Sequence, residues 1–204
     1  MPKPSFRNKI IEAGLTVMFR KGYNGSGVRD IVAQAAVPQG SFTNHFRSKE
    51  LFALEVLNYY YDYTKIIVQE ILTDTTLSPR QRLERYLDHI TTRLKHDNFL
   101  RGCLIGDFSL EKAHQSELLR NRLQEIFVDW RESFARCIKE AQDAGEIDSV
   151  FSSKELAAFL LASWEGAILL MKVEKDPSPL YRFKKIVFQT IFKKVEKSKK
   201  KGGI

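Results

Sequence analysis

Cysteine is scarce in this 204-residue chain, which holds only Cys103 and Cys137 and no C-x-x-C pair. This scarcity excludes a disulfide framework, argues against a structural zinc site and favours a reducing compartment. Long apolar runs are also missing, because the most apolar segment, 156–171, is interrupted by polar residues and glycine and is too short to cross a bilayer. The opening residues, MPKPSFRNK, lack the apolar region of a signal peptide. We therefore predict a soluble, cytoplasmic protein without membrane contact.

Recognisable catalytic and cofactor motifs are absent as well. The sequence has no phosphate-binding loop, no G-x-S-x-G and no G-x-G-x-x-G segment. Glu111 and His114 form a single E-x-x-H pair, whereas carboxylate-bridged di-iron bundles need two such pairs and two further glutamates. His89 and His96 have no third ligand, so each is better interpreted as a surface or partly buried histidine. We expect no metal, no cofactor and no enzymatic activity.

No segment alternates apolar and polar residues as a half-buried strand does, so we expect no sheet. Helix starts, by contrast, are marked along the chain. Ser78 and Pro79 are typical of a helix that begins with a serine cap and a proline at its first position, and Ser152 with Glu155 forms a capping box. The sequence predicts an all-α protein.

The segment 27–46 predicts two short helices joined by a tight Ala-Val-Pro turn. One side of the first helix is buried through residues at i, i+3, i+4 and i+7 spacing, namely Val28, Ile31, Val32 and Ala35. In the second helix, Phe42 and Phe46 lie four residues apart and point into the core, which turns small polar residues outward. Gly40 permits a close approach to DNA bases. The pattern is typical of a helix-turn-helix unit, and we call its second helix the recognition helix.

Positive charge is concentrated at the two ends of the chain. The formal net charge is +8, of which residues 1–50 contribute +5 and residues 193–204 another +5, leaving −2 between them. Basic charge around the helix-turn-helix unit fits phosphate binding, whose affinity comes largely from counterion release. We interpret the lysine-rich end as a solubilising tail, with a second nucleic-acid contact as the alternative.

Residues 10–57, IIEAGLTVMFRKGYNGSGVRDIVAQAAVPQGSFTNHFRSKELFALEVL, resemble the TetR family of bacterial transcriptional regulators. The family pattern is helix, Gly-aromatic, helix, short turn, G-(S/T)-(F/L)-Y-x-H-F-x-(S/T)-K-E. The matching positions are Gly22, Tyr23, Ile31, Val37, Gly40, Ser41, Phe42, His45, Phe46, Ser48, Lys49 and Glu50. Thr43 departs from it, replacing a tyrosine that touches phosphate, and Gly27 replaces a serine or threonine. A match this long is more specific than a lone short motif.

The resemblance implies a helix-turn-helix domain at 4–64, a ligand-binding and dimerisation domain at 65–195 and a basic tail at 196–204. It also implies a double-stranded, palindromic DNA operator as the partner. The predicted DNA-contacting residues are Ser26, Val28, Arg29, Gln39, Gly40, Ser41, Thr43, Asn44, His45 and Lys49. Lys49 lies at a helix start, an unfavourable place for a cation unless an anion such as a DNA phosphate is there too.

The last two predicted helices carry more apolar surface than a peripheral helix needs. Ala158, Ala162 and Gly166 form a small-residue stripe at spacing four. Packing against the central helix of the same chain is one interpretation. The family resemblance implies another, a four-helix bundle with the same pair of helices from a second copy. Such a homodimer places two recognition helices about 34 Å apart, one turn of DNA.

The run from Gly102 to Glu111 resembles the region around the sensor cysteine of the N-ethylmaleimide-responsive (NemR-like) subgroup. That resemblance implies a reactive Cys103, with Lys172 at the matching place to lower the thiol pKa. From the residues alone, a cysteine beside leucine and isoleucine is most often a small buried apolar side chain. A reversible ligand pocket near Phe108, Trp130 and Trp164 is then the alternative.

We therefore predict a sequence-specific DNA-binding transcriptional regulator, a homodimeric repressor released from its operator by a small ligand or a reactive electrophile. The alternative is an all-α protein-interaction module without sequence-specific DNA binding. Salt dependence separates the two, because DNA binding through several phosphates must weaken steeply with salt.

Overall fold

The structure, a computed structural model, describes residues 6–193, and in that range it contains nine α-helices and no strand. Their bounds are α1 Phe6–Lys21, α2 Val28–Ala35, α3 Gly40–His45, α4 Lys49–Leu72, α5 Pro79–His96, α6 Leu104–Lys112, α7 Glu117–Asp143, α8 Ser153–Glu174 and α9 Ser178–Gln189. The all-α prediction is confirmed. The predicted basic tail, 196–204, and the first two residues of the predicted domain 4–64 lie outside the described residues.

Helices α1 to α3 and the first turns of α4 enclose an aromatic core. The rings of Phe42, Phe46 and Phe52 lie with centroids 4.7 to 5.3 Å apart, so the predicted inward side of the recognition helix is confirmed. A Cβ at Gly14 would lie 2.3 Å from Cζ of Phe52, so only glycine lets α1 approach α4 this closely. This packing fixes the position of α3 against α1 and α4.

Serine side chains begin the long helices. Ser48 and Ser116 accept hydrogen bonds from the backbone N–H three residues onward, at the starts of α4 and α7. Ser78 and Ser152 form reciprocal capping boxes with Gln81 and Glu155, as predicted. Each cap satisfies N–H groups that the first turn of a helix leaves without an intrahelical partner.

The C-terminal half is a bundle in which α8 packs against α7 on one side and α9 on the other. Helix α4 runs without a break from the N-terminal domain into this bundle, through the predicted boundary at 64. In the described part of the chain, α8 is the one helix long and apolar enough to cross a membrane by composition. It is also a core helix, because eight of its residues are buried within the bundle.

One face of α8 remains exposed, and we call it the α8 face. It consists of Phe159, Ala162, Gly166, Leu169, Leu170 and Val173. A Cβ at Gly166 would meet no atom within 4 Å, so this part of the small-residue stripe is not packed against its own chain. In α9, by contrast, the apolar residues Leu180 and Val187 are buried inside the chain. Exposed apolar surface therefore lies on α8, with a smaller part on α9, where Tyr181 and Ile186 are exposed.

Candidate DNA interface and inner cavity

The recognition helix α3 is held by the turn before it and the aromatic core behind it. Ala36 adopts a left-handed conformation with φ of 52°, and its N–H closes the end of α2 on the carbonyl of Ala33. Five residues in and immediately before α3 are exposed to solvent, namely Gln39, Gly40, Thr43, Asn44 and His45. A Cβ at Gly40 would meet nothing within 4 Å, so the first turn of α3 is open to an approaching surface.

Two predicted DNA contacts are wrong as direct contacts. Ser41 is buried, because it lies beside Phe42 on the inward side of the short helix. Ser26 is only 1% exposed, and its hydroxyl donates to the carbonyl of Gly22 at 2.5 Å. Both serines therefore belong to the support of the interface. Of the remaining predicted contacts outside α3, Arg29 is exposed and Val28 packs partly against the core.

Lys49 is turned toward its own domain. Its Nζ donates to the carbonyl oxygen of Tyr23 at 2.6 Å and lies 4.3 Å from the centre of the Tyr23 ring. Partial burial lowers the pKa of Lys49, and the nearby charge of Lys112 lowers it further. A phosphate contact by Lys49 would have to share the ammonium group with this carbonyl.

Glu111, considered above only as part of an E-x-x-H pair, links the two halves of the molecule. Its carboxylate accepts hydrogen bonds from the backbone N–H groups of Tyr23 at 3.1 Å and Asn24 at 2.8 Å, in the connection between α1 and α2. Gly22, with φ of 69°, brings this connection so close that a Cβ there would lie 2.3 Å from Glu111 Oε1. The C-terminal end of α6 is thereby fastened to the helix-turn-helix domain.

An inner cavity of about 30 Å³ lies between α4, α5, α7 and α8. Cys103, Trp130 and Trp164 line it, in agreement with their predicted proximity to a pocket. Phe108 does not line it, because its fully buried ring packs against Tyr23 with centroids 6.0 Å apart. Lys172 lies outside it, in a groove between α6 and α8.

Glu165, which was not among the predicted site residues, also lines this cavity. The carboxyl end of Glu165 is buried beside the Cys103 thiol, and its Oε1 has no hydrogen-bond partner. Gly106 makes room for it, since a Cβ there would lie 2.7 Å from Glu165 Oε2. Burial raises the pKa of Glu165 to about 7. The only sequence signal was a lone acid in the most apolar segment of the chain.

Cys103 and Lys172 line one groove between α6 and α8, but the predicted lowering of the thiol pKa by the lysine is not supported. Lys172 Nζ lies 3.0 Å from both carboxylate oxygens of Asp107, which neutralises it locally. Cys103 faces Glu165 instead. Burial raises the pKa of the Cys103 thiol well above its ordinary value, and the charge of Glu165 raises it further. The thiol is therefore held protonated, the opposite of the activation expected for a sensor cysteine.

Comparison with known proteins agrees with this architecture. Residues 10–56 match the family profile described as "Bacterial regulatory proteins, tetR family", and residues 79–187 match "Tetracyclin repressor-like, C-terminal domain". The HTH-type transcriptional repressor DhaR of Mycobacterium sp. (strain GP1) is 39% identical over 196 residues, which cover 96% of this chain and 97% of that protein.

Solved structures are similar over nearly the whole described fold. The regulatory protein TetR from Rhodobacter sphaeroides is 32% identical, with a TM-score of 0.84 over 87% of this chain and 94% of that one. The reduced form of E. coli NemR superposes with a TM-score of 0.86 over 94% of this chain and 100% of that one, at 23% identity. At that identity, the likeness to NemR concerns the fold alone.

Proposed function

Because the chain belongs to the TetR family of bacterial regulatory proteins, we propose that it is a cytoplasmic, homodimeric repressor released from a palindromic operator by a small molecule. The family assigns sequence-specific DNA binding and transcriptional regulation to the chain. Dimerisation, the form of the operator and the release step are the parts that we propose.

The observation that carries the DNA-binding part is the exposed side of α3. Its five exposed residues combine an amide at Gln39, an amide at Asn44 and small groups between them, and paired amide donors and acceptors can bind base edges in the major groove. Arg29 and the net positive charge of residues 1–50 supply phosphate contacts. We propose Arg29, Gln39, Gly40, Thr43, Asn44 and His45 as the DNA-contacting set, with Lys49 beside it.

The α8 face supports the homodimer. Its exposed apolar residues include Leu169, 51% exposed, and Val173, 74% exposed, on one stripe of a helix whose opposite side is core. Contiguous apolar surface of this kind marks protein contact sites. A second copy related by a two-fold axis would cover it with the same residues.

The inner cavity supports reversible release in preference to alkylation. Although the cavity is small, its aromatic walls with a few convergent polar groups have the composition of a small-molecule site. The protonated, buried thiol of Cys103 is a poor nucleophile, so we propose that the effector occupies the cavity without a covalent bond.

Selection of bound sequences from a random DNA pool tests this function directly. We expect enrichment of an inverted repeat whose half-sites are centred about one helical turn apart. The logarithm of the association constant for that repeat should fall linearly with the logarithm of the salt concentration. The slope should be about −0.9 for each phosphate neutralised. Recovery of no preferred sequence would favour the alternative of a protein-interaction module.

A further inference from the structure

Two buried side-chain atoms within residues 6–193 have no hydrogen-bond partner, and both belong to residues that line the inner cavity. They are Nε1 of Trp130, a donor, and Oε1 of Glu165, an acceptor. The indole approaches the hydroxyl of Tyr86 but without hydrogen-bond geometry. Buried polar atoms in folded proteins are nearly always paired. A molecule in the cavity that offers one acceptor and one donor would pair both atoms.

Five aromatic side chains line the cavity, with the aliphatic side chains of Ile90, Leu94 and Ile168 among them. Its rings belong to Phe19, Tyr60, Tyr86, Trp130 and Trp164. At about 30 Å³ the cavity suits a group little larger than one or two water molecules at its polar end. A short alkyl chain would contact the ring faces and edges. The occupant is thus small, with one polar head and an apolar remainder.

The charges around the cavity limit the head group further. Glu165 faces the cavity from α8, and Arg93, Asp97 and Arg101 lie toward its mouth, where Arg101 Nε is 3.5 Å from the Asp97 carboxylate. A carboxylate ligand would meet the Glu165 carboxyl at close range. An ammonium ligand could bind Glu165, but it has no acceptor for the Trp130 N–H. While Glu165 is ionised, neither ion satisfies both unpaired atoms, because a carboxylate ligand has no hydrogen to donate to Oε1.

We propose that the inner cavity binds the hydroxyl group of a short, uncharged aliphatic alcohol, which donates to Glu165 and accepts from the indole N–H of Trp130. A hydroxyl combines a donor and two acceptor sites in one atom, so one small group offers a hydrogen-bond partner to each of the two unpaired atoms. The inference rests on the proposed function, because it names the chemical class of the molecule that would control release.

The chain contains its own reporter for this site. It has two tryptophans, and both line the cavity, so intrinsic fluorescence responds to its occupant. We would titrate the full-length protein with 1-propanol, and separately with propylammonium and propionate, which match its size and carry opposite charges. For a ligand of this size the tightest dissociation constant is in the range of roughly tens of micromolar. We expect saturation by 1-propanol below about 10 mM, at least ten-fold tighter than either ion.

Two variants test the named atoms. Trp130→Phe removes the N–H and keeps Trp164 as the reporter, while Glu165→Met removes the carboxyl at similar length. Each should weaken the binding of 1-propanol about ten-fold, because each leaves the bound hydroxyl with one hydrogen bond instead of two. Cys137→Ser, a buried change outside the cavity lining, is the matched control and should bind as wild type. Trp130→Phe alone suffices if Glu165→Met does not fold.

Three results would overturn the inference: a fluorescence change that stays linear in 1-propanol, tighter binding of propylammonium or propionate, or unchanged affinity in a folded Trp130→Phe variant. The proposed function fails differently. A protein that saturates with 1-propanol yet selects no DNA sequence lacks the regulatory role and keeps the site. One that binds its operator but shows no saturable fluorescence change keeps the DNA role and lacks this site.

Discussion

A carboxyl group buried among aromatic side chains destabilises a fold by an amount that depends on pH. For Glu165 the folded-state pKa of about 7 lies above the ordinary value of 4.5. The folded state therefore binds the proton more tightly than the unfolded chain does. Between those two values the free energy of unfolding must fall as pH rises, and the loss is complete once pH exceeds about 7.

Glu165→Gln should remove this pH dependence. We expect the variant to gain stability relative to wild type between pH 5 and pH 8, because the amide cannot ionise. Urea unfolding at several pH values and one fixed protein concentration measures it. Glu155→Gln, at an exposed capping position, is the control and should show no such gain. Parallel pH profiles for wild type and Glu165→Gln would contradict the buried, titrating carboxyl.

Gly40→Leu separates folding from DNA binding. Because a Cβ at Gly40 meets nothing within 4 Å, leucine should fit the free protein and stabilise α3 by roughly 0.5–1 kcal/mol. On DNA the same side chain would hold the helix away from the bases, and we expect at least a hundred-fold loss of operator affinity. Thermal unfolding and electrophoretic mobility shift give the two numbers. Gly40→Ala should retain much of the affinity, and full retention by Gly40→Leu would exclude close approach of this turn.

At the scale of elements, α6 connects the cavity to the DNA-binding domain. Cys103, at its N-terminus, lines the cavity, and Glu111, in its last turn, holds the connection between α1 and α2. We expect this helix of nine residues to move as a unit, because its backbone hydrogen bonds connect one end to the other. Any displacement of its first turn by a bound molecule would therefore reach Tyr23 and Asn24.

Glu111→Ala should loosen the fastening at one end. Each hydrogen bond to a carboxylate protects a backbone amide, so exchange of the Tyr23 and Asn24 amide protons should accelerate about ten-fold or more. Amides inside α1 should be unaffected. Glu70→Ala, on the exposed side of α4, is the control. Unchanged exchange at Tyr23 and Asn24 would show that the Glu111 contact does not persist in solution.

The features that could be predicted from the sequence are those formed by residues close together along the chain. Caps at Ser78 and Ser152 and the inward pair Phe42 and Phe46 depend on residues three or four positions apart, and the pattern found them. Ser41 was misassigned because a six-residue helix gives too few turns to fix which neighbours of Phe42 are buried.

The side-chain contacts inside the cavity could not be predicted in the same way. The contact of Glu165 with Cys103 forms only when α8 packs beside the start of α6, and no local spacing encodes it. Lys172 is near the correct region, but a nearer carboxylate, Asp107, binds it. The resemblance to a subgroup indicated the position of Lys172. It could not indicate that Asp107 would form an ion pair with this lysine.

For the whole molecule, the α8 face is the surface on which we propose that dimerisation depends. Ala162→Glu should give a monomer with weak operator binding, because an unpaired charge inside an apolar interface costs several kcal/mol. Sedimentation velocity and operator binding measure the two effects. Ala144→Glu, an exposed change at the end of α7, should remain dimeric. A dimeric Ala162→Glu protein would move the interface elsewhere.

The unbroken path of α4 through both halves also limits how such a protein can diverge by recombination. A crossover near residue 64 would join halves of α4 from two different proteins, and the buried side chains of each half fit the neighbouring helices of its own protein. One placed in the connection after Leu72 would leave α4 whole but separate Glu111 from the Gly22 and Tyr23 backbone that it fits. Exchange of operator specificity between relatives should therefore succeed by substitution within α3, and chimaeras of whole halves should need matched residues at both places.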